Sequence, residues 1–109
     1  MNKLLITITM MMTAFAVSGN AGAADAKAAE ALAQKSGCLA CHSTDKKILG
    51  PSYRDVAAKY KGDKTAEAKL NEKMLKGGSG VWGSMPMPAM ASQVKEDDLK
   101  TIISWVLSL

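Results

Sequence analysis

Apolar residues recur at helical spacing in four stretches of the chain. No stretch alternates polar and apolar residues over enough positions to predict a β-strand. The first stretch, Asp25 to Ser36, is rich in alanine and is followed by Gly37, a residue typical of the position after a helix C-terminus. The spacing places three side chains on its predicted inner face: Ala28, Leu32 and Ala33.

A second and a third helix are predicted from their first residues as well as from their periodicity. Ser52 starts the second, with Asp55 three residues later as a loose capping box, and Gly62 ends it. Thr65 is predicted to cap the third, which closes at Gly77-Gly78. The predicted apolar sides are Tyr53, Val56, Ala57 and Tyr60 in the second helix, and Leu70 and Met74 in the third.

The last helix is predicted to begin at about Glu96, with acidic residues first and Trp105 as a core residue. Two loops are predicted, from Lys46 to Pro51 and from Gly78 to Ser92. A loop as long as the second is usually functional or disordered, and its two prolines and Trp82 favour functional order. The sequence therefore predicts an all-α domain of about four helices, the last with the apolar stripe Leu99, Ile102, Ile103, Val106 and Leu107.

Residues 1–23 have the pattern of an export signal. Lys3 supplies a positive charge, an apolar run from Leu4 to Val17 follows, and Ala21-Gly22-Ala23 fits a cleavage site. The run is shorter than the ~20 residues that a membrane-spanning helix needs. We therefore predict a cleaved Sec signal at residues 1–23, a periplasmic location and one domain at residues 24–109. An uncleaved membrane anchor is the alternative.

Composition and charge exclude some classes of partner but do not identify one. A domain of this size builds a small core and usually needs a covalent or metal staple. The 14 basic and 10 acidic residues give a formal net charge of +4, and Arg54 is the only arginine. Scattered lysines are not the clustered basic surface of a nucleic-acid-binding protein, although a subset near a redox centre could steer an acidic partner. We predict no nucleic-acid partner, no stable membrane insertion and a monomer.

The segment Cys38-Leu39-Ala40-Cys41-His42 carries the chemistry of the chain, because both cysteines and the one histidine lie in it. The spacing lets two thiols bond the two vinyl groups of one haem and aims His42 at the iron. The motif therefore predicts a c-type haem with His42 as the proximal axial ligand. Export agrees with this prediction, since thioether attachment takes place outside the cytoplasm.

Three other interpretations of the motif are weaker. A structural zinc site needs four nitrogen or sulfur ligands, and the chain has no further cysteine or histidine. A thioredoxin-like redox pair needs a preceding strand, which the pattern does not predict. A disulfide between Cys38 and Cys41 is sterically awkward and leaves His42 unexplained.

The second axial ligand cannot be a histidine, and thioether sulfur is the soft, neutral alternative. Met74 lies on the apolar side of the third helix, so core packing is its predicted role. Met87 is favoured because prolines on both sides restrict its backbone and stiffen the arm that carries it. Met85 and then Met90 are the next candidates, and all three could instead be hydrophobic gap-fillers.

Further residues have candidate roles around the haem. Pro51 could press on the haem beside His42, and the carbonyl of Gly50 or Pro51 could accept the free N–H of the imidazole. The indole N–H of Trp82 and the ammonium group of Lys73 are candidates for binding a haem propionate. Ordinary packing of Trp82 and a solvated charge at Lys73 are the alternatives.

Four segments together resemble the short single-haem class I cytochromes c of bacterial periplasms: Cys38 to His42, Leu49 to Tyr53, Gly80 to Pro88 and Trp105 to Leu109. The resemblance extends over residues 24–109 and implies a small helical cytochrome c domain around one covalent haem c. The site residues that it implies are Cys38 and Cys41 for the thioethers, His42 and Met87 for the iron, and Pro51, Trp82 and Lys73 around the haem. The chain departs from the family at Ala89-Met90-Ala91, where a second proline is usual, and at Met85, where an aliphatic residue is more common.

The family shuttles single electrons from a respiratory complex to periplasmic reductases or terminal oxidases, so the resemblance implies an electron carrier and not an enzyme. The iron would keep both axial ligands, and His/Met ligation raises its potential relative to His/His. A haem enzyme or gas sensor with an open sixth site is the alternative, although a second histidine for acid–base chemistry is absent from the sequence. A subunit permanently docked to a larger enzyme is a further alternative.

Overall fold

The computed structural model describes residues 21–109, with side chains from Ala26 onward, so residues 1–20 of the predicted export signal lie outside the described residues. The described part of the chain contains isolated backbone bridges but no β-strand, and none of its helices is long and apolar enough to cross a membrane. The predicted all-α fold is confirmed. Its α-helices are α1 (Ala21–Lys35), α2 (Tyr53–Lys59), α3 (Ala66–Lys76) and α4 (Glu96–Leu107).

Helix α1 ends where the sequence predicts, and its inner face agrees with the prediction at Leu32 and Ala33 but not at Ala28. Gly37 adopts the left-handed backbone conformation (φ +80°, ψ 7°) that ends the helix. Ala29 and Ala33 are fully buried, whereas Ala28, predicted to face the core, is exposed. Residues four apart share a helix face, and a sequence made mostly of alanine gives little contrast between neighbouring faces. The prediction for Ala28 was therefore wrong by one position.

The start of α2 follows the prediction. The hydroxyl of buried Ser52 accepts the backbone N–H of Asp55 (N···O 3.1 Å), so the cap predicted at Ser52 is confirmed. The predicted apolar side is also confirmed, with Tyr60 half-buried and the other three residues buried: Tyr53, Val56 and Ala57.

The start of α3 differs in its hydrogen bonds. Thr65 occupies the N-cap position, but its side chain makes no capping bond. Its hydroxyl and its backbone N–H donate instead to Asp63 Oδ1, at 2.6 and 2.8 Å, while Lys69 Nζ lies 3.1 Å from Asp63 Oδ2. These bonds, that of the Thr65 hydroxyl above all, lower the pKa of Asp63 to about 2. Asp63 therefore accepts hydrogen bonds from Thr65 itself, and the cap predicted at Thr65 does not form.

Helix α4 is the centre of the core, because it packs against each of the other three helices. Four of the five residues in its predicted stripe are buried, with Leu99, Ile102 and Ile103 almost inaccessible to solvent. The fifth, Leu107, is half-buried and packs against the core. Trp105, predicted as a core residue, is only half-buried; it packs against the core and makes an edge-on contact with Tyr53, with ring centroids 5.5 Å apart. This contact joins α4 to the residues that surround His42.

Candidate haem-binding site

The Cys38–His42 segment forms a tight turn directly after Gly37. Residues Cys38–Ala40 form a short 3₁₀ helix, and the backbone N–H groups of Cys41 and His42 both donate to the Cys38 carbonyl, at 3.2 and 3.0 Å. Cys38 is 9% exposed and belongs to the hydrophobic core, while Cys41 is half-buried. The two thiols are not bonded to each other. The turn thus places two free thiols and an imidazole beside the core.

The chemistry of this turn does not suit a metal held by several protein side chains. Burial raises the pKa of the Cys38 thiol above its ordinary value, which favours the neutral thiol over a metal-binding thiolate. Within residues 21–109, moreover, no three histidine, cysteine or carboxylate side chains come together in a group that could hold a metal ion.

The orientation of the His42 imidazole is fixed by a hydrogen bond to the first loop. Its Nδ1 lies 2.8 Å from the carbonyl oxygen of Pro51. Because a carbonyl can only accept, Nδ1 must carry the ring proton, which leaves the lone pair of Nε2 available for a metal. Of the two predicted acceptors, Gly50 and Pro51, the structure selects Pro51.

Two neighbours of the imidazole were not assigned this role from the sequence. The ring of Tyr53 stacks on it, with centroids 5.3 Å apart and planes 20° from parallel. A Cβ on Gly50 would lie 2.8 Å from Nδ1 and 3.0 Å from Nε2, so only glycine allows the ring to approach this backbone. A glycine immediately before the predicted Pro51 acceptor was the available signal; Tyr53 was interpreted only as part of the apolar side of its helix.

The methionines differ in what surrounds them. Met74 is buried in the core, as predicted, and Met90 is also buried there, at 7% exposure. Met85 is 61% exposed, whereas Met87 is half-buried and packs against the core cluster that includes Cys38. Met74 and Met90 are therefore occupied in the core, and Met87 is the more protected of the two remaining thioethers.

The backbone of Met87 is held against the residues after α3. Gly78 N donates to Met87 O at 3.0 Å, and Met87 N donates to Gly78 O at 2.9 Å, which forms a small antiparallel bridge. The Lys73 ammonium group lies near this bridge, since a Cβ on Gly78 would be 3.4 Å from Nζ. The long second loop is thus ordered around Met87, as its prolines and Trp82 had suggested.

Trp82 lies outside the core and beside an unexpected lysine. Its side chain is 40% exposed, and the ammonium nitrogen of Lys59 on α2 lies 5.2 Å from the ring centroid, within cation–π distance. The sequence had assigned Trp82 and Lys73 to one propionate. That assignment stays a prediction. The structure adds the contact of Lys59 with the indole, which joins α2 to the second loop and which periodicity does not encode.

The residues fit a haem chemically. Two unbridged thiols, an imidazole with Nε2 available and a half-buried thioether are the donors that a covalently attached, six-coordinate haem requires. The two loops that carry Pro51 and Met87 also present large apolar side chains of the kind that pack on a porphyrin: Ile48, Leu49, Val81, Trp82 and Met85.

Comparison with known proteins gives a consistent result. The family model for cytochrome c matches residues 26–109, which include every candidate site residue. Cytochrome c-551 of Allochromatium vinosum is 51% identical over 78 residues, covering 72% of this chain and 82% of the relative. Cytochrome c-551 of Pseudomonas aeruginosa is 48% identical over 79 residues, covering 72% and 74%. The crystal structure of Nitrosomonas europaea cytochrome c552 matches with a TM-score of 0.68 and 40% identity, over 72% of this chain and 96% of that one.

Proposed function

Since the chain belongs to the cytochrome c family, and therefore carries one haem c attached through its two cysteines, we propose that it is a periplasmic single-electron carrier with His42 and Met87 as axial ligands. Residues 1–23 are its export signal in this proposal. Its donor is a respiratory complex and its acceptor a periplasmic reductase or terminal oxidase. It forms and breaks no bond in a substrate, so it is not an enzyme.

The observation that carries the proposal is the 2.8 Å hydrogen bond between His42 Nδ1 and Pro51 O. It commits the ring proton to Nδ1 and so reserves Nε2 for the iron. Such a bond also strengthens the imidazole as an electron donor to a metal and fixes its orientation. His42 is in this way prepared as a permanent ligand.

Met87 is the sixth ligand in this proposal because the other thioethers are less suitable. Met74 and Met90 would have to leave the core, and Met85 is mostly exposed to water. Met87 is half-buried, and both of its backbone hydrogen-bonding groups are held by Gly78. Because the backbone of Met87 is already held in place, little conformational entropy is lost when the Fe–S bond forms, so even a weak bond stays closed.

The haem supplies the one-electron Fe(III)/Fe(II) couple, and the residues of the chain keep its surroundings constant. Retention of His42 and Met87 in both oxidation states keeps reorganisation small. Trp82 and Lys73 are proposed to bind the propionates, and Pro51 to pack beside the proximal ligand. Lysines on the surface favour brief, partly electrostatic docking, which raises the association rate more than the affinity.

The proposal is tested with carbon monoxide on the reduced holoprotein. The unmodified protein and Met85→Leu, the matched control in the same loop, are expected to keep an unchanged low-spin spectrum. Met87→Ala is expected to bind carbon monoxide readily. Binding by the unmodified protein would indicate an open sixth site and favour a haem enzyme or gas sensor; binding only by Met85→Leu would transfer the ligand role to Met85.

A further inference from the structure

We infer that Gly77, at the C-terminus of α3, is a positioning residue. It sets the position of the Met87 arm, the backbone from Met87 to Ala89. Its backbone (φ +70°, ψ −163°) lies in a region that is essentially restricted to glycine. A Cβ at this position would lie 2.6 Å from the carbonyl oxygen of Met87 and 2.7 Å from the backbone nitrogen of Ala89. The inference rests on the proposed role of Met87 as axial ligand.

The atoms around Gly77 cannot yield easily, because they belong to backbone and not to the end of a flexible side chain. Gly77 N itself donates to the Lys73 carbonyl at 2.7 Å, which fixes the glycine to the last turn of α3. The Met87 carbonyl is already committed to Gly78 N at 3.0 Å. An added methyl group must therefore displace the arm that carries the thioether or unwind the end of the helix.

A second backbone hydrogen bond attaches the loop to α3 on the C-terminal side of Met87. Met90 N donates to the Met74 carbonyl at 2.8 Å, and the Met90 side chain is buried in the core. The arm is thus held to α3 on both sides of the Gly77 contact. Because both attachments are fixed, the size of the side chain at position 77 determines the distance between the C-terminus of α3 and the Met87 backbone.

The test compares Gly77→Ala with Gly80→Ala in the full-length holoprotein. Gly80 also has positive φ (+112°) and lies in the same loop, but a Cβ there would meet no atom within 4 Å. Both variants therefore carry backbone strain, and only Gly77→Ala pushes on the arm. We expect Gly77→Ala to weaken the thioether-to-iron charge-transfer absorption of the ferric protein and to bind added imidazole about tenfold more tightly than Gly80→Ala.

A double variant with Met87→Ala distinguishes this role from a merely structural role of Gly77. There the stability cost of Gly77→Ala should shrink if the strain acts through the Fe–S bond, and should stay the same if it does not. If Gly77→Ala melts before it can be assayed, saturating imidazole should raise its melting temperature more than that of Gly80→Ala, because an external ligand frees the arm.

The outcomes separate this inference from the proposed function. Equal imidazole affinities of the two glycine variants, with the charge-transfer absorption intact in the unmodified protein, would overturn the role of Gly77 and leave Met87 as ligand. An absorption that survives Met87→Ala would overturn both.

Discussion

The substitution Gly50→Ala tests how the proximal ligand is held, because it adds one methyl group beside the imidazole and little else. Gly50 does not have a left-handed backbone, so alanine introduces no backbone strain there. The new Cβ would lie 2.8 Å from His42 Nδ1, where ordinary contacts begin at 3.4 Å. The ring carbon Cε1 would lie closer still, so the ring must retreat by more than about 0.6 Å, or the loop must move by as much.

A displacement of this size is enough to break the bond to Pro51. The Nδ1···O distance is 2.8 Å, and N–H···O bonds extend to about 3.2 Å. A lost bond with its donor left partly buried costs about 1–3 kcal/mol. We expect Gly50→Ala to lower the free energy of unfolding by that amount, measured by denaturant titration of the holoprotein.

The reduction potential should change in a defined direction. Without the hydrogen bond the imidazole donates less electron density to the iron and stabilises Fe(III) less, so the potential should rise. If the difference between the oxidation states is of the order of one net hydrogen bond, the rise is roughly 20–60 mV. Voltammetry of the purified holoprotein measures it directly.

Gly37→Ala serves as the control for this experiment. Gly37 lies directly before Cys38 and has a φ of +80°, but a Cβ there would meet no atom within 4 Å. It should lower stability through backbone strain and leave the potential unchanged. If Gly50→Ala also left the potential unchanged, the argument that Gly50 holds the imidazole against Pro51 would be refuted.

Three further predictions concern the fold that supports the site. Ser52→Ala should lower the free energy of unfolding by about 1 kcal/mol, because the Asp55 N–H loses its cap, and a urea titration checks this. Leu99→Ala should lower the free energy of unfolding by about 2–5 kcal/mol in the same assay, since the side chain is fully buried. A loss below about 1 kcal/mol would mean that neighbouring side chains move in to fill the cavity. The pKa of Asp63 is lowered from 3.8 to about 2, so its stabilising contribution is complete above pH ~4 and is lost as the pH falls towards 2. Asp63→Asn should therefore flatten the fall in melting temperature over this range, and an unchanged slope would contradict the assignment.

Much of the fold could be predicted because its signals are local. The stripe of α4 combines large apolar residues with acidic residues in the first turn, so both its start and its buried face follow from the sequence. The face of α1 could not be resolved because alanine at Ala28 and at Ala29 looks the same to a periodicity argument. The Thr65 cap failed for a different reason: the hydroxyl donates to Asp63 and accepts no N–H of the helix, a choice that the sequence does not reveal.

The site was predictable to the extent that it lies within one short segment. His42 and Pro51 are nine residues apart, and the acceptor is one of the two neighbouring carbonyls that the sequence predicted. The contacts of Gly77 with Met87 and of Lys59 with Trp82 depend instead on how separate elements pack. No periodic signal encodes such contacts, so they emerged only from the structure.

The two axial ligands of the proposed centre therefore differ in what holds them. His42 lies next to two covalent attachment points, and its hydrogen bond and stacking partner come from the adjoining segment that ends at Tyr53. Met87 has no covalent attachment point beside it; its position depends on backbone contacts with the end of α3, through Gly78 and Gly77. If Met87 is the sixth ligand as proposed, we expect a change that loosens the last turn of α3 to weaken the iron–sulfur bond before it affects the proximal side. We therefore expect the stability of that turn to determine how firmly the sixth position is closed.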